Sequence, residues 1–337
     1  MLCLLNTLTA DSFYFGYYDS EYKKFAPKLT PEAKAALASL KRKIKDEKGE
    51  IISASLCLYF SATDDSTLDD LIATLAEPSQ MQNNLKKTPY YDDGGWVLFE
   101  SVRADLGVVF RFLKEIHFED YWHDTILPIE NAKVDSIKSV LPKYNIISED
   151  EALLGFPLSS DKITVYMLYY SQPHGIKITG TRFLTDVAWP FEIVVRNAAH
   201  EMMHPPFVSA SDSRLVAALN QLKKDDFLMD KVLHHNPAFG YNTFDGFIEE
   251  DCVQALEQLI NEKLRTEREA HVRWKESDDG MHVFAVALYE VMKKERFNEK
   301  HERFQNFLVR NIRSGGLAPG KIKPLYDAFY APVLKGK

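Results

Sequence analysis

Along most of this chain apolar residues recur three and four positions apart, the spacing of helices that bury one face. Thr30-Pro31-Glu32 opens a helix over about 31–46, with proline at a first helical position and a basic last turn, Lys41 to Lys45, facing solvent. Residues 50–61 are apolar enough for helix or strand and are read as helix. Asp64 to Asp70 starts another helix through Leu75, and Pro78 to Gly95 is a turn-rich connection. Val97, Leu98, Val102, Leu106, Val109, Phe110 and Leu113 then mark a long buried helix ending near His117, followed by one over 129–141 that Pro142 stops.

Near residue 160 the period changes. Lys162 to Tyr170 is rich in β-branched and aromatic residues, Gly175 to Gly180 alternates, and Gln172-Pro-His-Gly175 between them is turn chemistry, which predicts a β-hairpin. Helical spacing returns over about 190–204, 212–223, 225–235, 244–272, 281–296 and 299–312, with a last docking helix around Tyr326 to Tyr330. The expected fold class is therefore α+β and mostly helical. Residues 1–155 form a helical N-terminal region and 156–337 a region that carries the sheet and the candidate chemistry. The aromatic-dense stretch Phe13 to Asp19 reads as an anchor of the N-terminal segment to the core.

Composition narrows the function classes. A formal charge of −8 argues against a dominant nucleic-acid-binding role, because such binding draws on clustered Lys and Arg. No apolar run reaches the length of a membrane span. Cys3, Cys57 and Cys252 cannot all pair and no Cys-x-x-Cys occurs, which excludes a disulfide scaffold and a cysteine-zinc module. The short apolar start lacks a basic flank, so both a cytoplasmic protein and a form of an exported one fit.

The chemistry concentrates in His200-Glu201-Met202-Met203-His204. Residues four apart share a helix face, so the two imidazoles can close on one small cation, and Glu201 is placed to take a proton from a water held there. That is the arrangement a zinc peptidase needs. Trp189-Pro190 and the apolar positions from Phe191 to Ala199 supply the helix, and Pro205-Pro206 stops it.

A third protein ligand is required. Position 210 is Ala, which closes the route through a further histidine; the open route is a glutamate on the helix 244–264. Its apolar stripe runs through Ile248, Cys252, Ala255, Leu256 and Leu259. Glu250 points away from that stripe and Glu249 lies at its edge. Glu250 is the ligand if the stripe packs into the C-terminal core, and Glu249 if the stripe packs on the histidine helix. Gln254, one turn on from Glu250, is placed to hydrogen-bond a ligand or the substrate. His234, His235 and Tyr241, between the two motifs, are the candidate oxyanion donors, with His271 and Tyr289 further off. His117 and His123 have no partner at ligand spacing, and the Asp64 to Asp70 acids lack the glycine and terminal glutamate of a calcium loop.

His200-Glu201-x-x-His204 with a glutamate on a helix some forty-five residues downstream resembles the gluzincin zinc metallopeptidases, the thermolysin-like group. His-Glu-Met-Met-His-Pro-Pro-Phe followed by Phe-Ile-Glu-Glu-Asp is also similar to a group of bacterial peptidase-like proteins. The resemblance covers these two motifs. It implies a zincin-like fold with a small sheet before the active-site helix, a bound Zn2+, a peptide or protein substrate, and an edge strand at Ile176 to Thr179 that holds substrate in extended form. It departs from thermolysin at Gln254, where that group has an aspartate, and so leaves His200 without an obvious carboxylate partner. That departure sustains an alternative, a zincin-like binding or scaffold protein without turnover; a third reading is a helical interaction protein whose motif is accidental.

Overall fold

The computed structural model describes residues 1–10, 16–88, 90–208, 211–300 and 302–335; of the aromatic anchor, Phe13 to Phe15 lie outside them. Its contacts group into two compact units, Met1–Val140 with Thr164–Trp189, and Leu141–Ile163 with Pro190–Lys337. The described residues are mostly helical with one three-stranded sheet, consistent with an α+β class. Among the described residues no helix is long and apolar enough to cross a membrane, and all three cysteines are free thiols.

Among the described residues of the first unit the α-helices are α1 (Leu4–Leu8), α2 (Asp19–Phe25), α3 (Pro31–Leu40), α4 (Ile52–Phe60), α5 (Leu68–Ala76), α6 (Ser79–Leu85), α7 (Asp93–Glu115), α8 (Phe118–Tyr121) and α9 (Leu127–Lys138). The long apolar-periodic α7 is the axis: α3 and α5 pack on it, and it buries Phe99, Leu106, Val109 and Phe110. Polar caps set several starts. The Thr30 side chain accepts from Ala33 N, Asp92 from Gly95 N, and Thr67 with Asp70 forms a reciprocal capping box. Of the acids at 64–70, Asp70 thus caps α5, while α6 occupies part of the connection expected to be irregular.

The expected hairpin is corrected. β1 (Thr164–Leu168) and β2 (Ile176–Lys177) do not pair with each other; β3 (Arg182–Asp186) lies between them, parallel to β1 and antiparallel to β2. β3 is the strand that burial favours at the centre, since Phe183, Leu184, Thr185 and Asp186 are all buried. β2 is left at an edge of the sheet. The sheet groups with the helices that precede it, where α9 packs on β1, and not with the helices that follow.

The second unit holds α10 (Ile146–Leu154), α11 (Phe191–Met202), α12 (Ser213–Leu222), α13 (Asp226–His234), α14 (Phe244–Leu264), α15 (Ala270–Glu276), α16 (Val283–Glu295), α17 (Phe304–Ser314) and α18 (Ile322–Lys335). α14 is its centre, packed by α11 and α16. Between Phe247 and Asn261 every residue of α14 except Glu249 is buried. The helix expected to run on to 272 ends at Leu264, where Arg265 takes a left-handed conformation, and α15 restarts behind a Glu269 cap.

Candidate metal centre

The site lies within the second unit. α11 buries Val194, Val195, Ala198, Ala199 and Met202, which seats it against α14 and brings His200, in its last turn, to the facing helix. Pro190 stands at the N-cap, with extended backbone, and not inside the first turn. The second histidine departs from expectation too. α11 ends at Met202, and His204 lies just beyond it, because Pro205 disfavours helical backbone at the residue before it.

The rings still converge. Nε2 of His200 and Nε2 of His204 are 3.2 Å apart. Glu250 Oε2 lies 3.6 Å from the first and 3.5 Å from the second. Among the described residues these three make the one group of His, Cys, Asp or Glu side chains with ligand atoms close enough to share an ion.

The spacing can be tested against the chemistry. Tetrahedral coordination at 2.0–2.1 Å needs donors about 3.3–3.4 Å apart, and a triangle with the three edges observed has a circumradius of about 2.0 Å. Two imidazole nitrogens and one carboxylate oxygen at this spacing fit a small divalent cation.

Each donor is held from behind. His200 Nδ1 donates to Glu257 Oε2 at 3.0 Å, and His204 Nδ1 donates to Glu249 Oε1 at 3.2 Å. A carboxylate only accepts, so both Nδ1 atoms carry hydrogen and both Nε2 atoms are turned to the shared point. Glu249, the alternative, thus bonds the far side of the His204 ring and lies outside the group of three. On the far side of Glu250, Gln254 Nε2 donates to Oε1 at 2.9 Å, while Trp274 Nε1 donates to Gln254 Oε1 at 3.1 Å and fixes which way the amide faces.

Glu257 is the residue the sequence reading missed. It is buried, lies two turns beyond Glu250 on the same face of α14, and accepts from Arg273 Nη2 at 2.5 Å and from Asn261 Nδ2 at 2.8 Å. The missing carboxylate partner of His200 is supplied by position 257, not 254. Glu250, Gln254, Glu257 and Asn261 recur at helical spacing as a buried polar stripe.

The charges respond accordingly. Burial favours neutral forms, yet the facing carboxylate of Glu250 raises His200 well above the ordinary imidazole range. In the same way His200 holds Glu250 well below the usual carboxylate range against the pull of burial. Burial also opposes the charge on Glu257, but Arg273 and His200 hold its carboxyl down at about 2.

Glu201 is buried beside this group, and its charge acts on both His200 and the Tyr241 hydroxyl. Tyr241 follows Gly240 in left-handed backbone and hydrogen-bonds Glu250; burial and the Glu250 charge raise its hydroxyl well above the ordinary phenol range. Of the three donor candidates between the motifs, Tyr241 alone is shown at the ligands. His234 is exposed and bonded to Asp230, while both nitrogens of His235 face backbone carbonyls, of Lys231 and Val232 on one side and Gly240 on the other. His271, stacked on Phe329, and Tyr289, bonded to Glu262, line a separate cavity of about 740 Å³.

Behind the ligand helix lies a fully buried His282. Its Nδ1 meets Asp251 Oδ1 at 2.6 Å and its Nε2 meets Asp278 Oδ2 at 2.9 Å. The other Asp251 oxygen accepts from Phe284 N and Ala285 N, at the first turn of α16, so one acid ties α14 to α16. The chain matches no family model, no curated protein and no solved structure.

Proposed function

We propose that this protein is a zinc-dependent peptidase of the gluzincin type, with His200, His204 and Glu250 as the metal ligands and Glu201 as the general base. The observation that carries the proposal is the donor triangle, whose three corners are each fixed by a hydrogen bond on the side away from the shared point. Borderline nitrogen and carboxylate donors at tetrahedral spacing suit Zn2+. When bound, the ion supplies a Lewis acid that polarises a peptide carbonyl and acidifies a water.

The protein's own groups do the rest. Glu201 accepts the proton of the attacking water and returns it to the leaving amine. The Tyr241 hydroxyl, raised by its surroundings, stays protonated at neutral pH, and by exchanging its bond to Glu250 for one to the carbonyl oxygen it can donate there as charge builds. Glu257 and Glu249 keep the imidazoles in the tautomer that turns Nε2 forward. Glu257 also removes one of the grounds for an idle zincin-like scaffold, the lack of a carboxylate partner for His200.

Metal analysis combined with digestion of a broad peptide library tests this. The parent is expected to carry one zinc per chain and to cleave peptides, and Glu201→Gln to keep the zinc and lose about 10²–10⁴-fold in rate. Cleavage by Glu201→Gln at the parental rate overturns the assignment of the base. Zinc without any cleavage by the parent leaves the scaffold protein, and absence of stoichiometric metal leaves an accidental motif.

A further inference from the structure

Cys3 and Cys57 are distant in sequence and meet in the first unit. α1 and α4 pack together there. Asn6 and Ser53 join them with two hydrogen bonds, Asn6 Nδ2 to Ser53 Oγ at 2.7 Å and Ser53 N to Asn6 Oδ1 at 3.2 Å. One turn back from Asn6 stands Cys3, and one turn on from Ser53 stands Cys57, so an antiparallel crossing that pairs the polar residues also pairs the thiols. The two thiols are near enough for each to act on the other's ionisation. Both line a cavity of about 440 Å³ that has Leu71, Leu168 and Leu184 on its walls and Asp64 and Arg182 among its polar groups. Cys57 is partly exposed and Cys3 is buried.

We propose that Cys3 and Cys57 form an oxidisable dithiol, at which a small hydroperoxide entering the cavity converts two thiols into a disulfide that joins α1 to α4. One of the two thiolates attacks the near oxygen of the peroxide, the O–O bond breaks, and the far oxygen leaves as water or alcohol after taking a proton. That cysteine is then a sulfenic acid. The other sulfur attacks it, the S–O bond breaks, and the oxygen leaves as water with the second thiol's proton. The cysteines together lose two electrons and two protons, and the peroxide gains them.

Cys252 is the internal control. It is buried in α14 in the second unit, and burial raises its thiol well above the ordinary range.

The test is treatment of the whole protein with a small molar excess of hydrogen peroxide, followed by alkylation and peptide mass mapping. The expected result is a loss of about 2 Da per chain, a peptide pair joined through Cys3 and Cys57, and return of both thiols with dithiothreitol. Cys252 is expected to react at least about tenfold more slowly. In Cys57→Ser, oxidation should stop at a Cys3 sulfenic acid that dimedone captures. Three thiols left intact, a disulfide between chains, or Cys252 consumed as fast as Cys3 would each overturn the proposal. If Cys57→Ser does not fold, the joined peptide pair and the relative rates in the parent decide alone.

Discussion

Nδ1 of His200 donates to Glu257 at 3.0 Å, and the same carboxylate oxygen accepts from Arg273 at 2.5 Å. One acid therefore orients the ring of His200, a proposed metal ligand, and neutralises a buried guanidinium. Glu257→Gln should weaken zinc binding about 10–100-fold. It should also destabilise the fold by about 3–5 kcal/mol, because Arg273 is left charged and buried without its partner. Adding Arg273→Gln should restore much of the stability and none of the affinity. Chelator-competition titrations and thermal melts of the parent, single and double variants separate the two effects, and unchanged zinc affinity in the single variant would end the orienting role.

Adjacent glutamates should behave unlike each other. On the proposed assignment Glu250 supplies a donor oxygen, whereas Glu249, 38% exposed at its side chain, bonds only the far side of His204. Glu250→Gln is expected to purify without stoichiometric zinc. Glu249→Gln should retain it, with affinity lowered by about tenfold. Elemental analysis of both proteins decides, and the opposite pattern would exchange their roles.

Proton competition gives a third expectation. His200 must shed a proton before it can hold a cation, and its folded-state pKa lies well above the ordinary 6.5. Below that raised value zinc affinity should fall about tenfold for each unit of pH, and the slope should persist through neutrality. An ordinary imidazole would give a plateau above about pH 6.5. Competition titrations from pH 6 to 8.5 distinguish the two profiles.

His282 should make stability depend on pH in the alkaline direction. Burial opposes its charge, yet Asp251 and Asp278 raise it to about 9 from 6.5. A raised histidine contributes stability that is fully present below about pH 6.5 and is lost as pH rises through about 9. Denaturation in the presence of chelator should therefore show the parent ahead of His282→Gln by on the order of 1–3 kcal/mol at pH 6, and a smaller gap at pH 9.5. A gap independent of pH would mean that His282 acts by packing alone.

The parts of the site legible in sequence are those written in local spacing. His200, Glu201 and His204 announce themselves by interval, and the helix that carries Glu250 by its apolar stripe. What sequence reasoning could not supply was burial on the opposite face. Gln254, Glu257 and Asn261 look like a solvated edge until α15 brings Trp274 and Arg273 over them. The signal was present, as polar residues recurring at helical intervals in a helix that also carries an apolar stripe. The sheet failed for a related reason. A two-strand hairpin is the simplest partner scheme for neighbouring extended segments, and only the burial of Phe183 and Leu184 reveals that a third strand, β3, comes between them.

Because Trp274 steers the Gln254 amide and that amide occupies one oxygen of Glu250, the acid is committed to a one-toothed grip. Magnesium prefers a near-perfect octahedron of oxygens, and larger alkaline-earth ions want six or more at about 2.3–2.6 Å. On the proposed assignment both fit poorly to two nitrogens and a lone oxygen set around a point about 2.0 Å away. The tryptophan, acting through Gln254, would then help to sort abundant hard ions from scarce borderline ones.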